Sequence, residues 1–294
     1  MRCQIEETAA GTRLDKYLAT RFGQMGLRGW RRAIELGTAL VNGRKARPGL
    51  RLQGCEELEI LAEREEAPLK AKLLDCKDDY LFFHKPAGLH SAALAGNPQD
   101  SLEAQSTRLC AEQGLSGDIT LLQRLDYGTE GIVCAARSAG AASAYRLHER
   151  AGKCVKSYLA LLEGILEKPA MAKNKLETNG GKRIRIKAEP DDNPALWTAF
   201  EPVWSGAHPV RGCEVTLARC RLCAGQRHQV RAHAAALGLP LAGDWLYGSR
   251  RDGGFALAHY RIEFPGCLFE YLSPQSPFAS LGCEPDANGV LKCI

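Results

Sequence analysis

The stretch from Thr120 to Arg137, TLLQRLDYGTEGIVCAAR, contains two apolar runs separated by a polar turn with two glycines. Both flanks are typical of strands anchored in a core. Arg124 and Asp126 stand just before the turn. Aspartate is common in turns, which is one interpretation of Asp126. The other is a carboxylate that projects from a rigid platform, with Arg124 on the same strand face as its cation or as a phosphate contact.

Strand-like and helix-like stretches alternate irregularly on both sides of this segment. They predict an α+β domain around a mixed or antiparallel sheet over residues 73–272. Helices are expected over 101–113 and 139–151. The remaining residues, 273–294, are rich in Pro, Ser and Gly, so we expect this tail to lie outside the core.

The N-terminal region has a different charge pattern. From Thr12 to Arg51 there are ten Lys and Arg against two acidic residues, which is typical of a phosphate-binding module or of a solvated helical face. Two short amphipathic helices are followed by Asn42-Gly43, a strong signal for a tight hairpin. We therefore predict a small domain over 1–62, and a linker over the charged, aperiodic residues 63–72.

The segments RLDKYLATRF, RGWRRAIELGTALVNGRKARPG and EELEI resemble, in order and spacing, the small RNA-binding domain named after ribosomal protein S-four. The resemblance implies that the second helix and the hairpin present basic and polar side chains to structured RNA. A helical cap docked on the larger domain is the alternative. The implied RNA contacts are Arg13, Lys16, Arg28, Arg31, Arg32, Asn42, Arg44 and Lys45.

Two later segments, when each is taken alone, predict only an ordinary strand and an ordinary helix. KSYLALLEG predicts a short strand whose Tyr158 belongs to the core. AGQRHQVRAHAAALG predicts a helix that begins after a glycine. Arg231 in its first turns is either a surface residue or the bidentate partner of a carboxylate elsewhere in the fold.

Taken together, HKPAGLHS, QRLDYGTEGIVCAAR, KSYLALLEG and GQRHQVRAHAAALGLPLAGDWLYG resemble the RluA family of pseudouridine synthases, over about Leu73 to Pro265. The resemblance implies that Asp126 is the essential carboxylate. It also implies that Tyr158 stacks on the target base and moves a proton, and that Arg231 pairs with the aspartate. We expect further RNA contacts from Lys85, Arg124, His228 and Gln229.

The chemistry that the resemblance implies is compatible with these groups. Uridine becomes pseudouridine when the N-glycosidic bond breaks, the uracil turns, and a carbon of the base rejoins the same ribose. A carboxylate can attack or deprotonate the ribose, and a phenol can act as acid or base. The target base must first leave its stack. No redox step or group donor is involved, so we expect no cofactor.

Three positions depart from the family pattern. Gln123 stands where a His is usual, Gln226 replaces an Arg, and Glu130 replaces a Ser. The alternative function is therefore an RNA-binding or ribosome-assembly protein of the same fold with reduced or no turnover. A glycoside or nucleoside hydrolase is disfavoured, because the basic N-terminal region indicates a polymeric anionic substrate. Cys220 and Cys223 form a single C-x-x-C within a predicted strand, which sends their thiols to opposite faces, so we expect no metal site.

Composition gives the broad class. The 294 residues are 45% hydrophobic and 25% charged, with a net charge of +5, as in ordinary globular proteins. No apolar run could cross a bilayer, and MRCQIEETAAGTR lacks the apolar core of a signal peptide. We expect a cytoplasmic protein whose twelve cysteines are reduced. Ribosomal RNA of the large subunit is the first predicted partner and transfer RNA the second. We expect no membrane contact and no obligate protein partner.

Overall fold

The computed structural model describes residues 1–23, 26–35, 37–61, 69–93, 101–178, 180–207, 213–249, 254–279, 283–285 and 291–293. The chain divides into two compact units, Met1–Pro68 and Leu69–Ile294. Among the described residues, no helix is both long enough and apolar enough to cross a membrane.

The first unit is a four-stranded antiparallel sheet, in the order β1-β4-β2-β3, with two helices. Its elements are β1 (Arg2–Gln4), α1 (Leu14–Phe22), α2 (Leu27–Glu35), β2 (Ala39–Val41), β3 (Arg44–Lys45) and β4 (Glu57–Ile60). Leu14 and Leu18 of α1 pack with Trp30 and Ile34 of α2 in one buried cluster. This i, i+4 spacing on both helices is the pattern that the sequence shows.

The hairpin predicted at Asn42-Gly43 is confirmed. Asn42 has φ 50° and Gly43 has φ 72°, which are the two consecutive left-handed residues of a type I′ turn. The turn joins β2 to β3 with Val41 opposite Arg44. The Asn42 side chain also accepts a hydrogen bond from the Glu57 backbone N–H at 2.9 Å, which ties the turn to β4.

The second unit is built on a ten-stranded mixed sheet, so the predicted α+β class is confirmed. Its main path runs β10-β13-β14-β9-β15-β8-β6-β5, with β7 beside β8 and β16 beside β15. The β8–β15 pair is parallel, and the other pairs are antiparallel. The strands of this sheet are β5 (Lys72–Lys77), β6 (Tyr80–Lys85), β7 (Thr120–Leu121), β8 (Glu130–Ala136), β9 (Val155–Glu163), β10 (Ala170–Ala172), β13 (Thr198–Ala207), β14 (Glu214–Leu222), β15 (Leu257–Phe264) and β16 (Cys267–Glu270).

Three helices and two small hairpins complete the second unit. They are α3 (Leu102–Glu112), α4 (Ala139–Arg150), α5 (Gln229–Ala236), the pair β11 (Asn174–Glu177) and β12 (Arg185–Pro190), and the pair β17 (Cys283–Pro285) and β18 (Leu291–Cys293). All three helices are predicted from the sequence, and Ser101 and Ser138 cap the N-termini of α3 and α4.

Helices cover both faces of the central strands. Phe83 and Val133 share a buried cluster with Leu102 of α3 and Val230 of α5. The alternate residues of β6 and β8 point to the other face, where Tyr145 of α4 packs. Because both faces of the central strands are buried, their sequences are nearly continuous apolar runs.

The expectation that residues 273–294 lie outside the core is wrong for their first part. Phe278 is fully buried in a cluster with Leu159 and Tyr260. The Ser276 hydroxyl donates a hydrogen bond to the Glu130 carboxylate at the start of β8. A proline-rich composition suggested an exposed tail, but a single large aromatic side chain is enough to anchor such a segment.

Candidate functional site

Asp126 lies in a loop that hydrogen bonds hold in place. Strand β7 ends at Leu121, so the strand predicted to carry Arg124 and Asp126 on one face is wrong. The Ser91 hydroxyl donates to the Leu125 carbonyl at 2.8 Å and accepts from the Leu125 N–H at 3.0 Å. The Asp126 carbonyl then accepts from the Thr129 N–H at 3.0 Å. These bonds fix the backbone on both sides of the carboxylate.

Gly131 allows the close approach of β15 behind this loop. Its φ is 120°, and a Cβ atom there would lie 2.2 Å from the His259 carbonyl oxygen. Only glycine tolerates both the dihedral angle and the contact. The parallel pairing of β8 with β15 is therefore possible directly after the Asp126 turn.

The cation of Asp126 is Arg231, in the first turns of α5, and not Arg124, which is exposed. Arg231 Nη1 donates to Asp126 Oδ2 at 3.2 Å. The predicted pairing is thus present, but it is a single bond. The bidentate contact goes to Asp244, whose Oδ2 and Oδ1 accept from Arg231 Nε at 2.6 Å and from Nη2 at 2.9 Å.

Asp244 is a residue that the sequence reasoning missed. It is almost fully buried, and it lies just before a short 3-10 turn, Trp245–Tyr247. The signal was present in GDWLYG, a carboxylate between apolar residues. A buried carboxylate needs a partner, so this pattern could have indicated a second partner for Arg231.

Two aromatic rings enclose the Arg231 guanidinium. Its central carbon lies 4.3 Å from the Phe255 ring centroid and 5.2 Å from that of Tyr247, within the range of cation–π contacts. Burial lowers the pKa of Arg231, but the hydrogen bonds and charges of Asp244 and Asp126 more than offset this effect and raise it overall. Arg231 is therefore a charged, immobilised donor.

His228 is a second neighbour of the Asp126 carboxylate. The Tyr247 hydroxyl accepts from the Ile184 N–H at 3.0 Å, and it also lies 3.0 Å from His228 Nδ1, within hydrogen-bond distance. His228 Nε2 is 3.9 Å from Asp126 Oδ1. Burial lowers the pKa of His228, and the charge of Asp126 opposes this only in part, so the ring is neutral at pH 7.

Tyr158 occupies the middle of β9, in the same buried cluster as Leu125. Its ring stacks on that of His259 with the centroids 4.6 Å apart. Burial raises the pKa of Tyr158, and the charge of Asp126 raises it further, so the phenol keeps its proton at pH 7. His259 donates from Nδ1 to the Ile132 carbonyl at 2.6 Å, and burial lowers its pKa to about 4.

Two of the predicted RNA contacts lie in the interior, where that interpretation does not fit. The Lys85 ammonium is buried and donates to the carbonyls of Pro86 and Leu89 at 2.9 and 2.8 Å. Burial lowers the pKa of Lys85 to about 7. Gln229 is also buried, and its amide donates to the Leu196 carbonyl at 2.8 Å. Both polar groups brace local backbone, one at the KPAGL turn and the other at the start of α5.

The three residues that depart from the family pattern, Gln123, Glu130 and Gln226, each make a hydrogen bond in the structure. Gln123 donates from Nε2 to the Ile132 carbonyl at 3.3 Å, the carbonyl that also accepts from His259. Burial raises the pKa of Glu130, against the effect of its hydrogen bond from Ser276. The Gln226 N–H donates to Gln229 Oε1 at 2.9 Å.

In the first unit, the predicted contacts fall into two groups. Arg13 and Arg31 both bind Asp15, whose side chain is 0% exposed. Lys16, Arg44 and Lys45 are exposed. Arg28 and Arg32 belong to α2, but their side chains lie outside the described part of the structure.

Within the described ranges, no group of three or more His, Cys, Asp or Glu side chains is arranged to hold a metal ion.

Comparisons with known proteins identify the family. The family described as RNA pseudouridylate synthase matches residues 79–236. Among curated proteins, the chain is 30% identical to the ribosomal large subunit pseudouridine synthase D of Xanthomonas campestris, over 83% of this chain and 73% of that protein. It is 27% identical to the synthase C of Escherichia coli K12, over 84% and 79% of the two chains.

A solved structure shows the same fold. Human RNA pseudouridylate synthase domain containing 1 superposes with a TM-score of 0.58 at 20% identity, covering 79% of this chain and 92% of the human one. The family match spans more than half of the chain, and the curated relatives align over most of it. This chain therefore belongs to the RNA pseudouridylate synthase family, the isomerases that convert uridine in RNA to pseudouridine.

Proposed function

We propose that this protein converts one or more uridines of large-subunit ribosomal RNA to pseudouridine, with Asp126 as the essential carboxylate. The proposed RNA class rests on the names of its relatives, which are ribosomal large subunit pseudouridine synthases. Transfer RNA is the second candidate substrate. The cytoplasm is the corresponding place of action.

The observation that carries the proposal is the way in which Asp126 is held. Its side chain is 20% exposed, so the carboxylate lies at the mouth of the site. Oδ2 is bound by Arg231, whereas His228 Nε2 is 3.9 Å from Oδ1, beyond hydrogen-bond distance. One oxygen is thus anchored, and the other is available to a substrate atom.

In the proposed reaction, the bond between ribose C1′ and uracil N1 breaks, and a bond between C1′ and C5 forms. Asp126 either attacks the ribose or removes a proton next to the breaking bond. The uracil turns between the two steps. The proton on C5 leaves after the new bond forms, and N1 gains a proton, so that the product is an isomer of the substrate.

Arg231 and Tyr158 have separate proposed roles. Arg231 orients Asp126 and stabilises its charge, because Asp244 and the two rings prevent the guanidinium from moving. Tyr158 presents a protonated phenol, which suits a proton donor more than a base. Its ring, supported by His259, provides a flat surface for the flipped base.

The test is turnover by Asp126→Asn on ribosomal RNA labelled with tritium at uracil C5. The amide keeps the shape of the carboxylate but is neither nucleophile nor base, so tritium release should fall by roughly 10²–10⁴-fold or more. RNA affinity and thermal stability should change little. Asp118→Asn, at an exposed position in the same unit, is the matched control and should release tritium normally.

Two outcomes would contradict the proposal. More than a tenth of wild-type turnover in Asp126→Asn would remove Asp126 from the chemistry. Tight binding of ribosomal RNA without tritium release by the wild-type protein would favour the alternative, an RNA-binding or ribosome-assembly protein.

A further inference from the structure

His259 of β15 lies between the strand that follows the Asp126 loop and the strand that carries Tyr158. It pairs with Gly131 of β8 in parallel register and with Tyr158 of β9 in antiparallel register. The register between β15 and β9 shifts directly after His259, and irregularities of this kind re-aim side chains next to active sites. His259 therefore adjoins both strands that lead to the proposed site.

Two contacts hold the plane of the His259 ring, which is fully buried. The ring stacks on that of Tyr158 with an interplanar angle of 26° and the centroids 4.6 Å apart. Its Nδ1 donates to the Ile132 carbonyl at 2.6 Å, so Nε2 of the neutral ring can only accept, and no described residue donates to it. Loss of either contact therefore weakens the control of the ring's orientation.

The Ile132 carbonyl also closes the loop that carries Asp126. Gln123 lies before Asp126 in the chain, and its Nε2 donates to the same carbonyl at 3.3 Å. This Nε2 lies 3.4 Å from His259 Nδ1, so the two donors share one oxygen atom. A single carbonyl thereby connects the Asp126 loop, through the His259 ring, to the ring of Tyr158.

We propose that His259 is the positioning residue of Tyr158, an inference that rests on the proposed function. In the proposed reaction, the Asp126 carboxylate and the Tyr158 phenol act on the same nucleotide, so their relative placement must be precise. A displacement of about 1 Å can cost roughly 10²-fold in rate. His259 holds the phenol ring at a fixed distance and angle from the Asp126 loop, and the uracil stacks on the opposite face of Tyr158.

The experiment separates the two contacts of His259 in the full-length protein. His259→Asn keeps a donor for the Ile132 carbonyl, because the side-chain amide can take the place of Nδ1, but it removes the stacked ring. His259→Phe keeps the ring and the buried volume but removes the donor. The control is His84→Asn. His84 is also a buried histidine of the sheet whose pKa is lowered to about 4 by burial, but its ring contacts Tyr271.

Tritium release from ribosomal RNA labelled at uracil C5 is measured for each variant with and without Tyr158→Phe. Each His259 variant should lower kcat by roughly 10-fold or more, because the phenol is displaced from the reacting base. KM should change much less, since RNA binding depends mainly on contacts with the phosphate backbone. In the Tyr158→Phe background, the same changes should lower kcat by about twofold or less, because no hydroxyl is left to place. His84→Asn should not change kcat in either background.

A second measurement does not depend on turnover. In protein labelled with 3-fluorotyrosine, the Tyr158→Phe variant identifies the fluorine NMR resonance of Tyr158. His259→Asn should shift this resonance, because the stacked imidazole ring is removed. His84→Asn should leave it in place.

Unchanged kcat values in both His259 variants would overturn the inference, and so would an equal fractional loss of kcat with and without the Tyr158 hydroxyl. A Tyr158 resonance that does not move in His259→Asn would overturn it as well. If the resonance shifts but the wild-type protein releases no tritium, the proposed reaction is contradicted, whereas the placement of Tyr158 by His259 is supported.

Discussion

Each unit contains an arginine–aspartate cluster, and the two clusters combine the same groups in opposite ratios. In the first unit, one fully buried carboxylate, Asp15, accepts from Arg13 at 2.8 and 3.0 Å and from Arg31 at 2.6 Å. In the second unit, one guanidinium, Arg231, donates to Asp126 and Asp244.

The difference lies in where the excess charge is exposed. The Asp15 cluster has one excess positive charge, and its two arginine side chains are each 38% exposed. The Arg231 cluster has one excess negative charge, and Asp126 is its most exposed member, since the Arg231 side chain is only 8% exposed. The first arrangement suits a surface that attracts phosphates, and the second suits a site that presents a carboxylate. The stoichiometry of a buried ion cluster thus indicates which group remains available.

The largest effect is expected from Arg231→Ala, which leaves two carboxylates without their cation. The free energy of unfolding should fall by about 3–5 kcal/mol. Adding Asp244→Asn should recover more stability than adding Asp126→Asn, because Asp244 is the more buried partner and accepts both short bonds. Denaturant melts of the single and double variants measure this. Neither double variant should regain tritium release.

Arg231→Lys tests the Arg231–Asp244 contact more specifically. Lysine keeps the positive charge but cannot reproduce the planar two-point contact with Asp244. Strictly additive changes in unfolding free energy for Arg231 and Asp244 would show that their interaction contributes nothing to stability. A larger recovery with Asp126→Asn would reverse the assignment of the main partner.

Tyr158→Phe should lower kcat by roughly 10²-fold or more, equivalent to about 3 kcal/mol, because the phenolic proton is lost while the stacking surface remains. KM should change by about twofold or less. Stability should be preserved, since no described residue hydrogen-bonds to this hydroxyl. Tyr145→Phe is the matched control, on the opposite face of the sheet with a buried hydroxyl that has no described partner. Equal kcat values for the two variants would mean that Tyr158 has no chemical role.

Asp15→Asn should destabilise the protein by about 2 kcal/mol at pH 7, because its charge-assisted hydrogen bonds to two guanidiniums are weakened. Burial favours a higher pKa for Asp15, but the hydrogen bonds from Arg13 and Arg31 lower it overall. The folded-state pKa is therefore below the unfolded value of about 3.9.

The stability contributed by Asp15 is fully present above that unfolded value and is lost as the pH falls through the folded-state pKa. The unfolding free energies of wild type and Asp15→Asn should therefore differ at pH 7, and the difference should shrink as the pH falls below the unfolded value. A constant difference across that range would show that the Asp15 charge is not what stabilises the cluster. The kcat at saturating RNA should not change, because Asp15 belongs to the first unit.

The smallest effect is expected from Arg44→Gln, at the exposed end of the β2–β3 hairpin. If the predicted RNA contact exists, the salt slope of binding should fall by about 0.7–0.9, with a change in affinity of several-fold. Arg2→Gln is the control, since Arg2 pairs with Glu59 at 3.0 Å. Identical slopes for the two variants would remove Arg44 from the RNA-binding surface.

Local sequence patterns were sufficient for most of the architecture. Leu14 and Leu18 at helical spacing and the Asn42-Gly43 turn each depend on residues within a few positions. The irregular alternation of apolar runs predicted a mixed or antiparallel sheet, and the parallel β8–β15 pair of the structure makes it mixed. The segment carrying Asp126 was misjudged as a strand, because its leucines suited one while its backbone hydrogen-bonds to Ser91 instead.

Sequence by itself determined the helical and strand periodicities, the basic character of residues 12–51, and the residue types needed for the proposed chemistry. Only the tertiary structure decided how Arg231 divides its donors, since Asp126 lies 105 positions away in the chain. It also placed Lys85 in the interior and the Arg183 guanidinium 5.3 Å from the Tyr247 ring centroid. Dihedral preferences act between neighbours, whereas the partners of a buried charge are set by the packing of the whole sheet.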